Sequence, residues 1–259
     1  MKKTALITGA SSGIGKELAR IHAAKGGDLI IIARNEAKLL ALKEELETQY
    51  KVEVYVLPKD LTQPNAPKEL YEEIHKNTLQ VDYLINNAGF GGVGKFHERD
   101  LAQDLAMINL NVVALTALTH LFLQDFVKNN AGKILNVSST ASLVAGPLQA
   151  VYFATKAFVS SFSNALTEEL RDTNITVTNL MPGATATDFA KVSGMENTAL
   201  FDKAATSKSV AEDGYNGMIA GKLDVISGLT FMQKIQMVAL PITPKKLALK
   251  QIYELQQEK

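Results

Sequence analysis

Thr4-Ala5-Leu6-Ile7-Thr8-Gly9-Ala10-Ser11-Ser12-Gly13-Ile14-Gly15 runs an apolar strand straight into a glycine- and serine-rich turn, with a helical pattern beginning at Ile14. Glycines let the backbone turn tightly and approach a ligand with no Cβ in the way. The helix that follows points its free N–H groups and positive dipole end at the loop, which suits a pyrophosphate. A glycine pattern alone also fits a plain structural turn, but a strand before it and a helix after it are the context a dinucleotide site needs. From here the chain alternates. Apolar, β-branched runs at Leu29–Ala33, Val52–Leu57, Tyr83–Asn86, Lys133–Ser138 and Thr176–Leu180 read as strands, with a weaker seventh at Leu223–Ile226. Helical patterns at Ile14–Ala24, Glu36–Tyr50, Ala66–Asn77, Leu101–Lys128 and Val151–Arg171 fall between them. This alternation predicts an α/β fold: a doubly wound parallel sheet of about seven strands with helices on both faces.

Composition narrows the function classes. The chain has 259 residues, 27 basic against 27 acidic, and 46% are hydrophobic. That supports one sizeable core and argues against a nucleic-acid partner, which would call for a basic patch. With no cysteine there is no thiolate chemistry and no cysteine-based zinc site. His22, His75, His97 and His120 lack ligand spacing, so no metal is expected. Met1-Lys2-Lys3 is followed by too short an apolar run for a signal peptide, and a cytoplasmic location is the expectation. Leu105–Gln124 carries no formal charge, and reads as a helix sandwiched within the protein rather than a membrane span.

No linker or repeat divides the chain. Residues 1–228 read as the binding and catalytic domain, and residues 229–259 as a helical extension of it. Gly183–Ser207 reads as a long functional loop with one short helix. The extension begins apolar, at Leu229, Phe231, Met232, Ile235, Met237, Val238 and Leu240. Pro241 and Pro244 then break any helix before a final one at Lys245–Gln257. Such a segment covers the substrate entrance, a partner subunit or the domain's own core. An in-plane membrane contact is also open, whereas Lys234 and the prolines exclude a full span.

In its spacing the glycine loop resembles the Thr-Gly-x-x-x-Gly-x-Gly signature of the short-chain dehydrogenase/reductase family. The resemblance extends to about Gly228. It implies that Gly9, Ser11, Ser12, Gly13, Ile14 and Gly15 cradle a nicotinamide cofactor, with Asp60 and Leu61 after the third strand near the adenine. It further implies that Asn87, Ala88 and Gly89 lie beside the cofactor, and that Pro182, Gly183 and Thr187 close over the nicotinamide end. An NAD-binding fold of this kind usually carries an acid at the end of its second strand. Here the sequence reads Ala33-Arg34-Asn35, and Arg34 can pair with a 2′-phosphate. NADP(H) is therefore the expected cofactor. The loop's serines stand where the family often has a second basic residue, which leaves NAD(H) possible, and a solvated Arg34 is the bland alternative.

Tyr152-Phe153-Ala154-Thr155-Lys156 puts Tyr and Lys four apart on one helical face. A nearby ammonium favours a phenolate, so Lys156 is expected to lower the pKa of Tyr152. Ser139, at the end of the fifth strand and thirteen residues before Tyr152, has the family's spacing; Ser138 is second choice. Asn111 matches the family's helix asparagine, ahead of Asn109. The resemblance implies that Tyr152 exchanges the proton and Ser139 polarises the carbonyl. It also implies that Lys156 supports both tyrosine and ribose, while Asn111 holds a relaying water. Substrate would contact Ser139 and Tyr152.

The pocket is expected from Phe90–Gly94, Thr140–Gln149 and Gly183–Ser207. The first two are mostly small or apolar, and Thr140–Gln149 has no Arg or Lys to clamp a carboxylate. The expectation is an oxidoreductase for a neutral or lipophilic carbonyl or alcohol, working as a homodimer or homotetramer. The alternatives are a hydroxy-acid or β-hydroxyacyl dehydrogenase, and a non-catalytic dinucleotide sensor. The chain departs from the family after Ile226-Ser227-Gly228, where many members soon end.

Overall fold

Leu29-Ile30-Ile31-Ile32 is wholly buried, because its strand lies inside a parallel sheet covered on both faces. The computed structural model describes residues 2–195, 204–230, 233 and 244–256. Its main sheet has seven parallel strands: β1 (Thr4–Thr8), β2 (Asp28–Ala33), β3 (Val54–Pro58), β4 (Tyr83–Asn86), β5 (Gly132–Val137), β6 (Ile175–Pro182) and β9 (Asp224–Ser227). Their order is β3-β2-β1-β4-β5-β6-β9, so the winding reverses between β1 and β4. A crevice opens at such a switch point, outside the carboxyl ends of the strands. Alternation along the strands feeds two cores. Ala5, Ile7, Leu29 and Ile31 face α1 (Gly13–Ala24), α2 (Glu36–Tyr50) and α8 (Ser207–Ile219). Leu6, Ile30 and Ile32 face α3 (Ala66–Lys76) and α5 (Leu115–Asn129).

Register is pinned by polar residues as well. Asn86, Asn136 and Asn179 stand abreast on β4, β5 and β6. Asn86 Nδ2 donates to Asn136 Oδ1 at 2.9 Å, and Asn136 Nδ2 to Ser163 Oγ at 2.9 Å. A one-residue slip would strand these amides against apolar neighbours.

Two sequence expectations need correction. The single helix expected over Leu101–Lys128 is α4 (Leu101–Ile108), a π-helical segment at Asn109–Ala114 and then α5. Asn111 lies inside the π segment, a form of helix that concentrates at functional sites. The apolar stretch is also not sandwiched. It is long and apolar enough to cross a membrane by length and composition alone. One face packs on the sheet through Leu115, Leu118, Phe122 and Phe126, while Leu101, Leu105, Ile108 and Val113 are exposed. The described residues of the long loop contain its expected short helix, α7 (Phe189–Val192), and add one strand pairing, in which β7 (Thr185–Ala186) runs parallel with β8 (Ala205–Thr206).

The remaining helices are α6 (Ala150–Glu169) and α9 (Lys245–Gln256). The Pro244 carbonyl accepts from Leu247 N and Ala248 N, so α9 starts at the proline as expected. The apolar residues Phe231, Met232, Ile235, Met237, Val238 and Leu240, together with Pro241, lie outside the described residues.

Candidate active site

The glycine loop is held from β4. Asn87 Nδ2 donates to the carbonyls of Thr8 at 2.9 Å and Gly9 at 3.2 Å, while Thr8 Oγ1 accepts from Asn87 N and Ala88 N at 3.0 Å each. Gly9 and Gly13 take φ of +68° and +55°, the left-handed region that glycine enters without strain. A Cβ on Gly15 would lie 2.3 Å from Gly9 O and 2.4 Å from Asn87 Nδ2. Gly15 therefore keeps the loop closed from behind. Ser12 is the N-cap of α1 and makes no side-chain cap bond, which leaves the first-turn N–H groups of α1 facing the crevice.

A cavity of about 1390 Å³ runs from this loop to the end of α6. It brings together Gly9, Ser11, Ser12, Gly13, Ile14, Arg34, Asp60, Leu61, Asn87, Ala88, Gly89, Ser139, Tyr152, Lys156, Pro182, Gly183 and Thr187. Two expected residues stand behind its wall: Gly15, for the reason just given, and Asn111. The Asn111 amide is spent within the protein. Nδ2 donates to Phe90 O at 2.9 Å and to Thr155 Oγ1 at 3.1 Å, and Oδ1 accepts from Phe90 N at 3.1 Å. Its geometry is that of a positioning residue, which fixes the loop after β4 against α6.

Near the end of β2, Arg34 is exposed and pairs with no carboxylate among the described residues. Lys38 and Lys59 line the same end of the cavity, two cations that sequence reasoning missed. Lys38 lies one turn into α2, within 3.7 Å of Asp188, and Lys59 precedes Asp60. Asp60 Oδ1 accepts from Thr62 N and Thr62 Oγ1, which orients the carboxylate at the cavity edge.

At the other end Tyr152 and Lys156 are 9% and 5% exposed. Lys156 Nζ donates to the Val137 carbonyl at 2.8 Å and sits 5.9 Å from the Tyr152 ring centre. Ser139 Oγ donates to the Pro182 carbonyl at 3.4 Å and accepts from Ala141 N at 3.1 Å, and as a polar neighbour of Tyr152 it draws the tyrosine pKa down. Burial dominates the electrostatics. It pushes Tyr152 up to about 12, against the opposing pull of Ser139, and pushes Lys156 down to about 8. The expectation that Lys156 lowers the tyrosine pKa is thus corrected for this structure. Removing both groups from water disfavours phenolate and ammonium alike. Tyr152 accordingly stands as a neutral proton donor.

The walls around Tyr152 are aromatic. Phe153 and Phe189 have ring centres 6.1 and 5.4 Å from its own, and Phe90 packs into the same cluster. The three pocket segments are tied to one another: Val93 N donates to Ser193 O at 3.1 Å, and Gly94 N to Leu148 O at 2.8 Å. Arg99 braces the first, with Nη1 on Val93 O at 2.8 Å and Nη2 on the buried Asp104 carboxylate at 2.6 Å. Part of the wall comes from the extension. Gln251, Ile252, Glu254, Leu255 and Gln256 of α9 line the cavity. Their role was legible only as the general idea of a tail over the entrance.

This crevice, with a glycine-loop cradle at one end and a buried Ser-Tyr-Lys group at the other, has the parts of a nicotinamide-dependent oxidoreductase. The family model described as short chain dehydrogenase matches residues 3–197, and the chain belongs to that family. Over 195 residues it is 36% identical to the NADP-dependent 3-hydroxy acid dehydrogenase of Schizosaccharomyces pombe, covering 73% of this chain and 74% of that one. Over 187 residues it is 37% identical to the very-long-chain 3-oxoacyl-CoA reductase of Coprinopsis cinerea, covering 68% of this chain and 52% of the relative. The chain thus spans about half the length of that reductase. Among solved structures, the short-chain dehydrogenase from Sphingobium yanoikuyae in complex with NADPH matches with a TM-score of 0.83 at 31% identity over 91% of each chain.

Proposed function

We propose that the chain is an NADP(H)-dependent reductase of a neutral or lipophilic ketone, with Tyr152 as the general acid. The observation that carries this reading is the convergence of Ser139, Lys156 and a buried Tyr152 at one end of the cavity that the glycine loop opens at the other. The cradle fits a dinucleotide. Its glycines leave backbone open to phosphates, the N-terminus of α1 is uncapped by Ser12, and Arg34, Lys38 and Lys59 gather at the 2′-phosphate end. NAD(H) would leave Arg34 without an anion among the described residues, whereas Lys38 and Lys59 have Asp188 at 3.7 Å and Glu69 at 3.2 Å beside them. NADPH, when bound, supplies the hydride.

The residues of this chain then divide the remaining work. Ser139 holds the carbonyl oxygen by hydrogen bonding, and Tyr152 gives that oxygen its proton as the alkoxide forms. Lys156 places positive charge behind the tyrosine and hydroxyl-binding capacity beside it. Asn111 fixes Phe90 and α6, and so the pocket's shape. Phe90, Phe153 and Phe189 exclude water and favour apolar groups beside the carbonyl.

A second reading, a 3-oxoacyl or 3-hydroxyacyl substrate, draws on the names of the relatives. Among the described residues lining the substrate end, Lys156 is the only cation, which favours a neutral thioester over a free acid within that reading. We also infer that the protein works in the cytoplasm as a homo-oligomer. Its support is the exposed apolar row Leu101, Leu105, Ile108 and Val113, which a second copy would cover.

The test is NADPH consumption over a panel of ketones, aldehydes, hydroxy acids and acyl thioesters, with NADPH and NADH affinities from fluorescence titration. NADPH should bind at least about tenfold more tightly than NADH, and Arg34→Ala should erode that difference by weakening NADPH alone. Equal affinities in the unmodified protein defeat the cofactor assignment, and turnover confined to charged acids defeats the substrate class.

A further inference from the structure

Gln149 is 3% exposed and lines the cavity one turn before Tyr152. Its Nε2 donates to Gln256 Oε1 of α9 at 2.8 Å, and Gln256 is itself 2% exposed. The Gln149 Oε1 atom is buried with no hydrogen-bond partner among the described residues. A buried amide oxygen left unpaired costs free energy, so a polar group kept in this state beside a catalytic residue implies a ligand that satisfies it. The backbone also holds Gln149 under constraint. Leu148, directly before it, takes a φ of +65°, which a branched apolar residue adopts only under strain, and its carbonyl is pinned by Gly94 N at 2.8 Å. Gln256 fixes the side chain from the far side.

We propose that Gln149 is a specificity-determining residue that selects a ketone carrying a hydroxyl on the carbon next to the carbonyl. Its Oε1 accepts that hydroxyl's hydrogen bond, and Gln256 holds the amide in place from the C-terminal helix. This rests on the reading of the site as a carbonyl reductase and adds its substrate class. Gln149 is the N-cap of α6, three residues before Tyr152, and both line the same cavity. Phe90, Phe153 and Phe189 offer the apolar surface for the ketone's other substituent. A site whose buried acceptor needs a donor rejects the analogue that lacks it more strongly than an apolar pocket rejects an added hydroxyl.

The test uses the full chain with NADPH and a matched pair of ketones, 2-hydroxyacetophenone and propiophenone, in which a hydroxyl is replaced by a methyl. The unmodified protein should favour the hydroxyketone in kcat/KM by about tenfold or more. Gln149→Met keeps the length of the side chain and removes its polar atoms, and should bring the ratio close to one. Gln256→Met should reduce the ratio part of the way, chiefly through KM. A merely structural role for Gln149 would lower both ketones alike and leave the ratio standing, and that result overturns the proposal. So does a ratio near one in the unmodified protein. Absence of turnover of both ketones counts against the reductase reading. The pair is then titrated against the NADPH-bound protein, and equal dissociation constants, or no binding of either ketone, overturn the role of Gln149 on its own account.

Discussion

Tyr152 and Lys156 sit a helical turn apart on α6, and burial moves them in opposite directions, to about 12 and about 8. The tyrosine therefore keeps its proton across the neutral range and suits reduction. Tyr152→Phe removes only the hydroxyl, and we expect kcat to fall by about 10²-fold or more with NADPH affinity retained, as read by steady-state kinetics and fluorescence titration. Normal turnover would mean that another group supplies the proton. The lysine sets the pH dependence. Its ammonium is lost as pH rises through about 8, so kcat/KM for reduction should decline there while Tyr152 still holds its proton. A profile that stays flat to about pH 10 would contradict this. Stability carries the same signature. The folded value lies below the unfolded 10.5, so the unfolded chain binds the proton more tightly, and the penalty is full below about 8 and gone above 10.5. Lys156→Met should stabilise the protein at neutral pH by about 0.5–2 kcal/mol, with the gain shrinking towards high pH in urea titrations.

Among the elements, the β1–α1 turn and the strand beside it form one unit. Asn87 reaches from β4 to two carbonyls of the loop, and Gly15 leaves no room for a Cβ between them. Gly15→Ala forces the loop apart without touching the sheet. We expect NADPH affinity to drop by at least about tenfold while the far-UV circular dichroism is unchanged; unaltered affinity would show that the loop can yield. The helix before the site illustrates the limits of periodicity. Apolar spacing predicts one continuous helix over Leu101–Lys128, and the π segment at Asn109–Ala114 leaves no mark in it. What accompanies it is the Asn111 amide bridging Phe90 and Thr155, contacts at separations of 21 and 44 residues. No local pattern contains them.

On the scale of the whole molecule, the C-terminal extension completes the cavity. α9 supplies part of its wall, and Gln256 meets Gln149 across a separation of 107 residues. Deleting residues 229–259 removes that wall and opens the substrate end to water, while the glycine loop, Arg34, Lys38 and Lys59 remain. We expect KM for ketones to rise about tenfold or more, with NADPH affinity held within about twofold. Light scattering on the same pair of proteins separates this from assembly. A change of mass with unchanged KM would assign the extension to a subunit interface instead.

The amino-acid sequence by itself determined what rests on neighbouring residues and repeating patterns. Alternating apolar runs and helical periods define the doubly wound sheet, and Thr8–Gly15 marks its switch point. Arg34 takes the place of an acid, and Tyr152 and Lys156 share a helix face by spacing alone. Tertiary structure decided what depends on distant segments and on exclusion from water. It set the direction in which Tyr152 titrates, against the sequence expectation, because burial outweighs a lysine already bound to the Val137 carbonyl. It brought Lys38 and Lys59 to the side of Arg34 and turned Asn111 away from the cavity. It also joined Gln149 to Gln256. Short-range periodicity is written along the chain, whereas desolvation and long-range hydrogen bonds exist only once the chain has closed on itself.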